Sequence, residues 1–421
     1  TTFTIFLRSF MKINLNSSKD NRKINTKGTR LNRNNLYFCR DKKFHFMKKI
    51  QMVDLPGQYK HIKEIVDASI FEVLNSAAYI NGPYVKEFQA DLEKYLNVKH
   101  VIPCANGTDA LQIAMMGLGL EQGDEVITAD FTFAATVEVI GLLKLTPVLV
   151  DVEADTFNMD IDALKKAITP KTKAIVPVHL FGQCANMEAV MEVAKEHNLF
   201  VIEDNAQAIG ADYTFSDGTT KKSGTIGNVG TTSFFPSKNL GCYGDGGAIF
   251  TNDDDLAHII RGMVNHGMYK RYYHDVVGVN SRLDSIQAAV LKTKLPLLDS
   301  YCDARRKAAE FYSNAFASNS NIITPVTSDF TTHVFHQYTL QITNGKRNEL
   351  HQHLLDNNIP NAIYYPVPLH AQKAYQDERY NEADFPVTNN LIDTVISLPM
   401  HTELEQEQLE FITKTILQFV G

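Results

Sequence analysis

The chain reads as an α/β protein, a large layer of helices on a mainly parallel central sheet, followed by a smaller α+β unit. Three observations predict this. DEVITAD (124–130), TPVLVDV (146–152), KAIVPVHLF (173–181) and LFVIEDNAQ (199–207) are near-continuous apolar runs, the signature of strands buried on both faces. Segments with apolar residues at helical spacing separate several of them. The pattern then changes near residue 300, where helices and strands no longer alternate regularly.

Before the first element lies a stretch of different composition. Residues 1–49 hold 13 Lys/Arg and 2 Asp/Glu, whereas the other 372 hold 28 and 46. Residues 1–46 share the bias of transit peptides but lack the apolar core of a secretory signal. A disordered, solvated extension is expected there, with Met47 as a natural start. The acidic body does not suit nucleic acid, which needs clustered cations.

From there the elements follow in order. A helix is expected over 62–77. HVIPCAN (100–106) is a short strand and 107–120 the helix after it. FAATVEVIGLLKL (133–145) and MEAVMEVAKEHN (187–198) are further helices. Two strands, 231–235 and 248–250, flank a glycine-rich turn. A long helical stretch, 285–316, is interrupted at Pro296. Beyond it, 333–342 and 361–367 read as strands, and 346–357 and 404–419 as helices. The expected organisation is an extension (1–46), a large domain (47–300) and a small C-terminal domain (301–421).

The five cysteines, Cys39, Cys104, Cys184, Cys242 and Cys302, are far apart and form no C-x-x-C pair. Neither a zinc site nor a disulfide framework is indicated, and a reducing cytoplasm fits. No apolar run approaches the roughly 18–20 residues that cross a bilayer, so no membrane is expected. His333 and His336, or His351 and His353, have pair spacing, but no H-E-x-x-H accompanies them and no metal is expected.

Three motifs carry chemistry. GTDAL (107–111) enters a helix directly after a strand, and a helix N-terminus offers free N–H groups to a phosphate. On its own it reads first as an ordinary capped start. VIEDNAQAIGA (201–211) delivers Glu203 and Asp204 to a strand's carboxyl end, where open α/β sheets bind ligands. A carboxylate there can hold a cation, such as a protonated pyridine nitrogen, or merely cap a loop. TTSFFPSKNLGCYGDGGAIFTND (231–253) sets Lys238 between a strand and a glycine-rich turn. Desolvation there would lower the amine's pKa and make it nucleophilic. The order is not that of a nucleoside-triphosphate loop, because the glycines follow the lysine.

Taken in this order, the three motifs resemble fold-type I enzymes that depend on pyridoxal 5'-phosphate (PLP). In detail they resemble the DegT/StrS family of sugar-nucleotide aminotransferases. GVNSRLDSIQAAVL (278–291), YYPVPLHAQKAY (364–375) and ISLPMHTELEQEQ (396–408) extend the likeness from about Ile50 to the C-terminus. The resemblance implies that Lys238 bonds the cofactor as an internal Schiff base and later moves a proton to or from the substrate carbon. Asp204 would pair with the pyridine N–H, and Gln207 would sit near the phenolic oxygen. Phe133 and Ala206 would lie on opposite faces of the ring. Gly107, Thr108 and Ser233 would bind the phosphate, with Asn280 reaching it from a second copy in a homodimer. Relatives with His in the Lys238 position dehydrate deoxysugars, so Lys238 favours transamination over dehydration. A non-catalytic regulator on the same scaffold is the remaining alternative.

Within the family, the lysine and asparagine blocks are similar to enzymes acting on UDP-2-acetamido-2-deoxy-3-oxo-glucuronate. That implies L-glutamate as donor, a nucleotide-sugar acceptor and a role in bacterial surface polysaccharide, including lipopolysaccharide. A dTDP-linked 3-keto-6-deoxy or 4-keto sugar is the alternative acceptor. Arg282 would meet the uronate carboxylate, with Tyr364 and His336 as further contacts. Tyr364 departs from the His that is frequent at its position in relatives.

Overall fold

The structure, a computed structural model, describes residues 47–421. The extension expected over 1–46 lies outside the described residues.

Two helices open the fold. α1 (Leu55–Ser76) is capped by Asp54, whose carboxylate accepts from the Gly57 N–H at 2.9 Å. α2 (Pro83–Leu96) buries Val85, Phe88, Leu92 and Leu96, which recur at three- and four-residue spacing along one face.

The central layer then alternates. β1 (His100–Cys104), α3 (Gly107–Gly117), β2 (Glu125–Ala129), α4 (Ala135–Leu142), β3 (Thr146–Val150), α5 (Ile161–Ala167), β4 (Thr172–Val176), α6 (Met187–His197) and β5 (Phe200–Asp204) follow one another. A small hairpin, β6 (Asp212–Thr214) and β7 (Thr220–Lys222), precedes β8 (Val229–Ser233) and β9 (Gly247–Thr251). The seven-stranded sheet has the order β1-β9-β8-β5-β4-β2-β3. β9 alone runs antiparallel to its neighbours, and the remaining ladders are parallel. The carboxyl ends of β1, β2, β4, β5 and β8 therefore share one edge.

Alternation along these strands explains their apolar runs. Val101, Ile127, Ile175, Val201 and Phe250 pack on one side with Phe88, Leu164, Val190 and Leu291. Ile102, Val126, Ala174, Ile202 and Ile249 pack on the other with Ile113, Ile140 and Ile260. With a core on each face, the interior positions of these strands mostly favour apolar residues.

α7 (Asp254–Met263) leads to a short ribbon, β10 (Met268–Lys270) and β11 (Tyr273–His274). α8 (Ser285–Lys294) and α9 (Leu298–Phe316) are separated by one tight turn at Leu295–Leu297, where Pro296 removes a backbone donor. Beyond it, β12 (Ile322–Ile323), β13 (Tyr338–Ile342) and β14 (Val395–Leu398) form a three-stranded sheet with β13 central, antiparallel to both neighbours. α10 (Arg347–Asp356) and α12 (Gln406–Val420) join α9 around a core of Tyr312, Phe316, Leu340, Leu354, Ile396 and Ile412. α11 (Pro386–Thr394) leads into β14.

Two expected strands are corrected. Residues 361–367 form no strand, since the only pairing is an isolated bridge from Ala362 to Ser397. Pro366 removes a donor there, and Ile363, Tyr364 and Tyr365 pack against the core of the large sheet instead. In 333–342 pairing begins only at Tyr338, because 333–337 bonds elsewhere. Among the described residues no helix is long and apolar enough to cross a membrane.

Candidate active site

The shared carboxyl edge collects the residues that the motifs single out. At the end of β1, Asn106 turns the chain into α3 and its side chain accepts from the Asp109 N–H at 2.8 Å. Gly107 follows, and a Cβ there would lie 2.7 Å from the Ser233 Cβ. Only glycine permits that approach. It brings the helix N-terminus and its N–H groups against the Ser233 hydroxyl, at the end of β8. Ser233 Oγ accepts from the Phe235 N–H at 3.3 Å, which leaves its proton free to meet an anion.

β5 ends in two acids with different employment. Glu203 is fully buried and accepts from the Gly224, Ile226 and Gly227 N–H groups at 2.6–2.8 Å. His179 Nδ1 accepts from the Ala185 N–H, so its Nε2 donates to Glu203, at 2.9 Å. Glu203 thus braces the 224–227 turn. Asp204 points the other way, toward the site. Its Oδ2 accepts from Thr136 Oγ1 at 2.8 Å and its Oδ1 from the Ala206 N–H at 3.1 Å. A buried carboxylate held by two donors is oriented and ready for a further cationic partner.

Lys238 sits in the turn after β8, where its N–H donates to the Phe235 carbonyl at 2.8 Å. A Cβ at Gly241 would come within 2.3 Å of the Pro236 carbonyl oxygen, so the turn closes tightly. The side chain keeps some exposure, but burial pulls the amine's pKa down to about 8, against the pull of the Asp204 charge. Such an amine has an appreciable neutral fraction near neutral pH and is a nucleophile.

Gln207 is fixed at both ends. Its Oε1 accepts from the Phe181 N–H at 2.7 Å and its Nε2 donates to the Tyr365 hydroxyl at 3.2 Å. Phe133 is 58% exposed, with its ring 6.3 Å from that of Tyr365. Ala206 lies part-exposed beside Asp204. Tyr364 is half-buried, and burial raises its phenol pKa. His336 is buried, and its pKa is pushed down by burial first and then by the Lys238 and Arg305 charges. Asn280 is exposed and Arg282 donates weakly to Asn265 Oδ1 at 3.4 Å. Between them Ser281 accepts from the Ala105 N–H at 3.0 Å, so this segment passes the end of β1.

Two residues at this edge carry no signal in the sequence. Thr136 lies inside α4, 68 positions from Asp204. Tyr365 lies in YYPVPLHAQKAY, but nothing in that string distinguishes it from Tyr364.

The residues present fit PLP. A cradle too tight for a Cβ faces a serine hydroxyl, a buried carboxylate is already oriented, and an amine of lowered pKa stands near it. Residues 60–417 match the DegT/DnrJ/EryC1/StrS aminotransferase family. The chain belongs to that family. It is 45% identical over 372 residues to a "Pleiotropic regulatory protein" of Geobacillus stearothermophilus, covering 88% of this chain and 98% of the relative. It is also 45% identical over 363 residues to the UDP-2-acetamido-2-deoxy-3-oxo-D-glucuronate aminotransferase of Pseudomonas aeruginosa, covering 86% and 98%. The crystal structure of S. venezuelae DesV in complex with a ketimine intermediate superposes with a TM-score of 0.85 at 38% identity, covering 89% and 99%. As a DegT/StrS-type protein, the chain is a PLP-dependent sugar-nucleotide aminotransferase with the fold-type I architecture.

Proposed function

We propose that this aminotransferase moves the amino group of L-glutamate to the 3-keto carbon of a UDP-linked N-acetyl-hexosaminuronate, in the cytoplasm, for bacterial surface polysaccharide. The observation that carries this reading is the 45% identity, along 98% of its length, to an aminotransferase named for such a substrate.

Bound PLP supplies the electron sink that lets an amino group leave one carbon and join another. The chain's own residues do the rest. Lys238 would bond the cofactor and afterwards hold the transferred proton on Nζ. Asp204, oriented by Thr136 and the Ala206 N–H, keeps the pyridine nitrogen protonated. Gly107, Thr108 and Ser233 grip the phosphate. Phe133 and Ala206 confine the ring between them, and Gln207 meets its phenolic oxygen. In a homodimer, Asn280 of the partner subunit completes the phosphate site. The division into a cofactor-binding domain to residue 300 and a small domain from 301 belongs to the same reading. It is supported by the separate cores around the seven- and three-stranded sheets.

Arg282 would read the uronate carboxylate, with Tyr364 beside it. Among the described residues Arg282 makes one weak side-chain bond, to Asn265, which leaves guanidinium donors to spare. The test is turnover on a panel of keto sugar nucleotides, with wild type and Arg282→Ala. The uronate should be the best wild-type substrate. The variant should lose roughly ten- to a hundredfold in kcat/KM on it while hardly changing on a 6-deoxy sugar. Faster wild-type turnover of a dTDP-linked 6-deoxy or 4-keto sugar would overturn the substrate assignment.

A further inference from the structure

The segment Val334–Gln337 is strapped between the lysine turn and Gln207. Asn239, the residue after Lys238, donates from Nδ2 to the Val334 carbonyl at 2.9 Å. The Val334 N–H donates to Gly182 at 2.8 Å and the Gln337 N–H to Phe181 at 3.3 Å. Phe181 in turn holds Gln207. Arg305 reaches in from α9 and donates through Nη1 to the carbonyls of Phe335, His336 and Met400 at 3.0–3.2 Å. Gly182 has φ +117°, and a Cβ there would lie 2.8 Å from the His336 nitrogen. The strap can therefore lie this close only against glycine.

These bonds hold the backbone around His336, whose own carbonyl accepts from Arg305, and none uses its imidazole. The side chain is 8% exposed, and its Nδ1 is enclosed without a protein partner among the described residues. A buried polar atom without a partner is costly, and in native proteins it calls for a reason. The charges of Lys238 and Arg305 both act on this ring, and the bond from Asn239 to the Val334 carbonyl ties the lysine turn to its segment. Three carbonyls pin the Nη1 of Arg305, so its enclosed Nε, which also lacks a partner among the described residues, cannot swing toward the ring, whereas the Lys238 amine has no side-chain hydrogen-bond partner among the described residues.

We propose that His336 is a positioning residue for Lys238: its Nδ1 accepts a hydrogen bond from the Lys238 ammonium, directly or through one water, and holds the amine toward the reacting carbon. The proposal rests on the reading of Lys238 given above. Burial and the two cations keep the imidazole neutral, so it offers an acceptor without a charge. A carboxylate in its place would raise the lysine's pKa and retain the proton. A neutral acceptor orients the amine and still lets the proton go.

Three full-length variants test this, using glutamate carrying hydrogen or deuterium at Cα and following one turnover of the holoenzyme. His336→Asn places an amide oxygen near the position of Nδ1, His336→Gln places it one bond further out, and His336→Phe fills the space without an acceptor. His336→Asn should stay within roughly fivefold of wild type. The other two should slow by roughly tenfold or more, with glutamate affinity little changed and the isotope effect raised as proton transfer becomes limiting. Equal losses in the Asn and Gln variants, or an unchanged isotope effect, would show that His336 only fills space. If His336→Phe fails to fold, the Asn–Gln comparison still decides. Mapping the borohydride-reduced cofactor on the same wild-type preparation separates the two readings. An adduct on another lysine overturns the role of Lys238, whereas an adduct on Lys238 with no Asn–Gln difference overturns only that of His336.

Discussion

Replacing Gly107 by alanine adds one methyl group at the tightest point of the phosphate cradle. The new carbon would stand 2.7 Å from Ser233 Cβ, 3.2 Å from its Cα and 3.3 Å from its Oγ. Carbon atoms prefer about 3.5–4.0 Å, so the overlap with Cβ is roughly 1 Å. A rotamer change at Ser233 cannot relieve it, because Cα and Cβ do not move with χ1. Strand β8 is held by β5 on one side and β9 on the other, so the start of α3 has to give. Overpacking of this kind costs about 1–3 kcal/mol. The displaced atoms are the N–H groups of the cradle, so part of that cost should appear in cofactor binding. At 1.4 kcal/mol per tenfold the whole cost would weaken PLP binding roughly five- to a hundredfold, so the part borne by the cradle should weaken it by up to that much. Titrating apoenzyme with PLP by absorbance, beside a thermal melt, measures both parts. Gly141→Ala in α4 is the control, since a Cβ there meets nothing within 4 Å and alanine favours a helix. If Gly107→Ala binds PLP as tightly as wild type and melts at the same temperature, this close approach is not the cradle.

Thr136→Val removes a donor to Asp204 while keeping the shape; losing one hydrogen bond to a charged group should lower kcat/KM roughly tenfold or more, and an unchanged value would make Thr136 a bystander. Because Lys238 is held near 8 in the folded apoenzyme but titrates near 10.4 when unfolded, the unfolded chain binds more protons between those values. Apoenzyme stability from this group should rise with pH across that window, and a Lys238→Met variant should show a shallower rise in melting temperature from pH 8 to 10. Mixing inactive Lys238→Ala and Asn280→Ala subunits should restore activity through the one intact site of the mixed dimer, and mixed dimers without activity would place Asn280 outside the partner's site.

How far the sequence carried differs from element to element. The strands of the large sheet were legible because each is buried on both faces, which leaves an uninterrupted apolar run. The reversed direction of β9 was not, since direction depends on pairing rather than composition. α2 lies outside the expected elements even though Val85, Phe88, Leu92 and Leu96 recur at helical spacing. Residues 361–367 misled because NAIYYPV has a strand's composition, while its aromatic side chains are used for packing against the large sheet's core. Lys238 and Asp204 stood out because each lies in a run whose spacing suits one chemistry. Thr136 and Tyr365 act through contacts across 68 and 158 positions, which no local pattern encodes. Glu203 shows the opposite limit: it is as prominent as Asp204 in the sequence, and only the direction of its side chain assigns it to bracing a turn.

If this aminotransferase works through Lys238, that residue should carry the cofactor until the amino donor arrives. One experiment addresses it directly: reduce the PLP-loaded protein with borohydride before and after adding glutamate, and map the labelled peptide. The cofactor should be fixed to Lys238 before glutamate and little fixed after it, because the amino group has by then passed to the cofactor. Label on a different lysine, or the same label at Lys238 after prolonged glutamate, would contradict it.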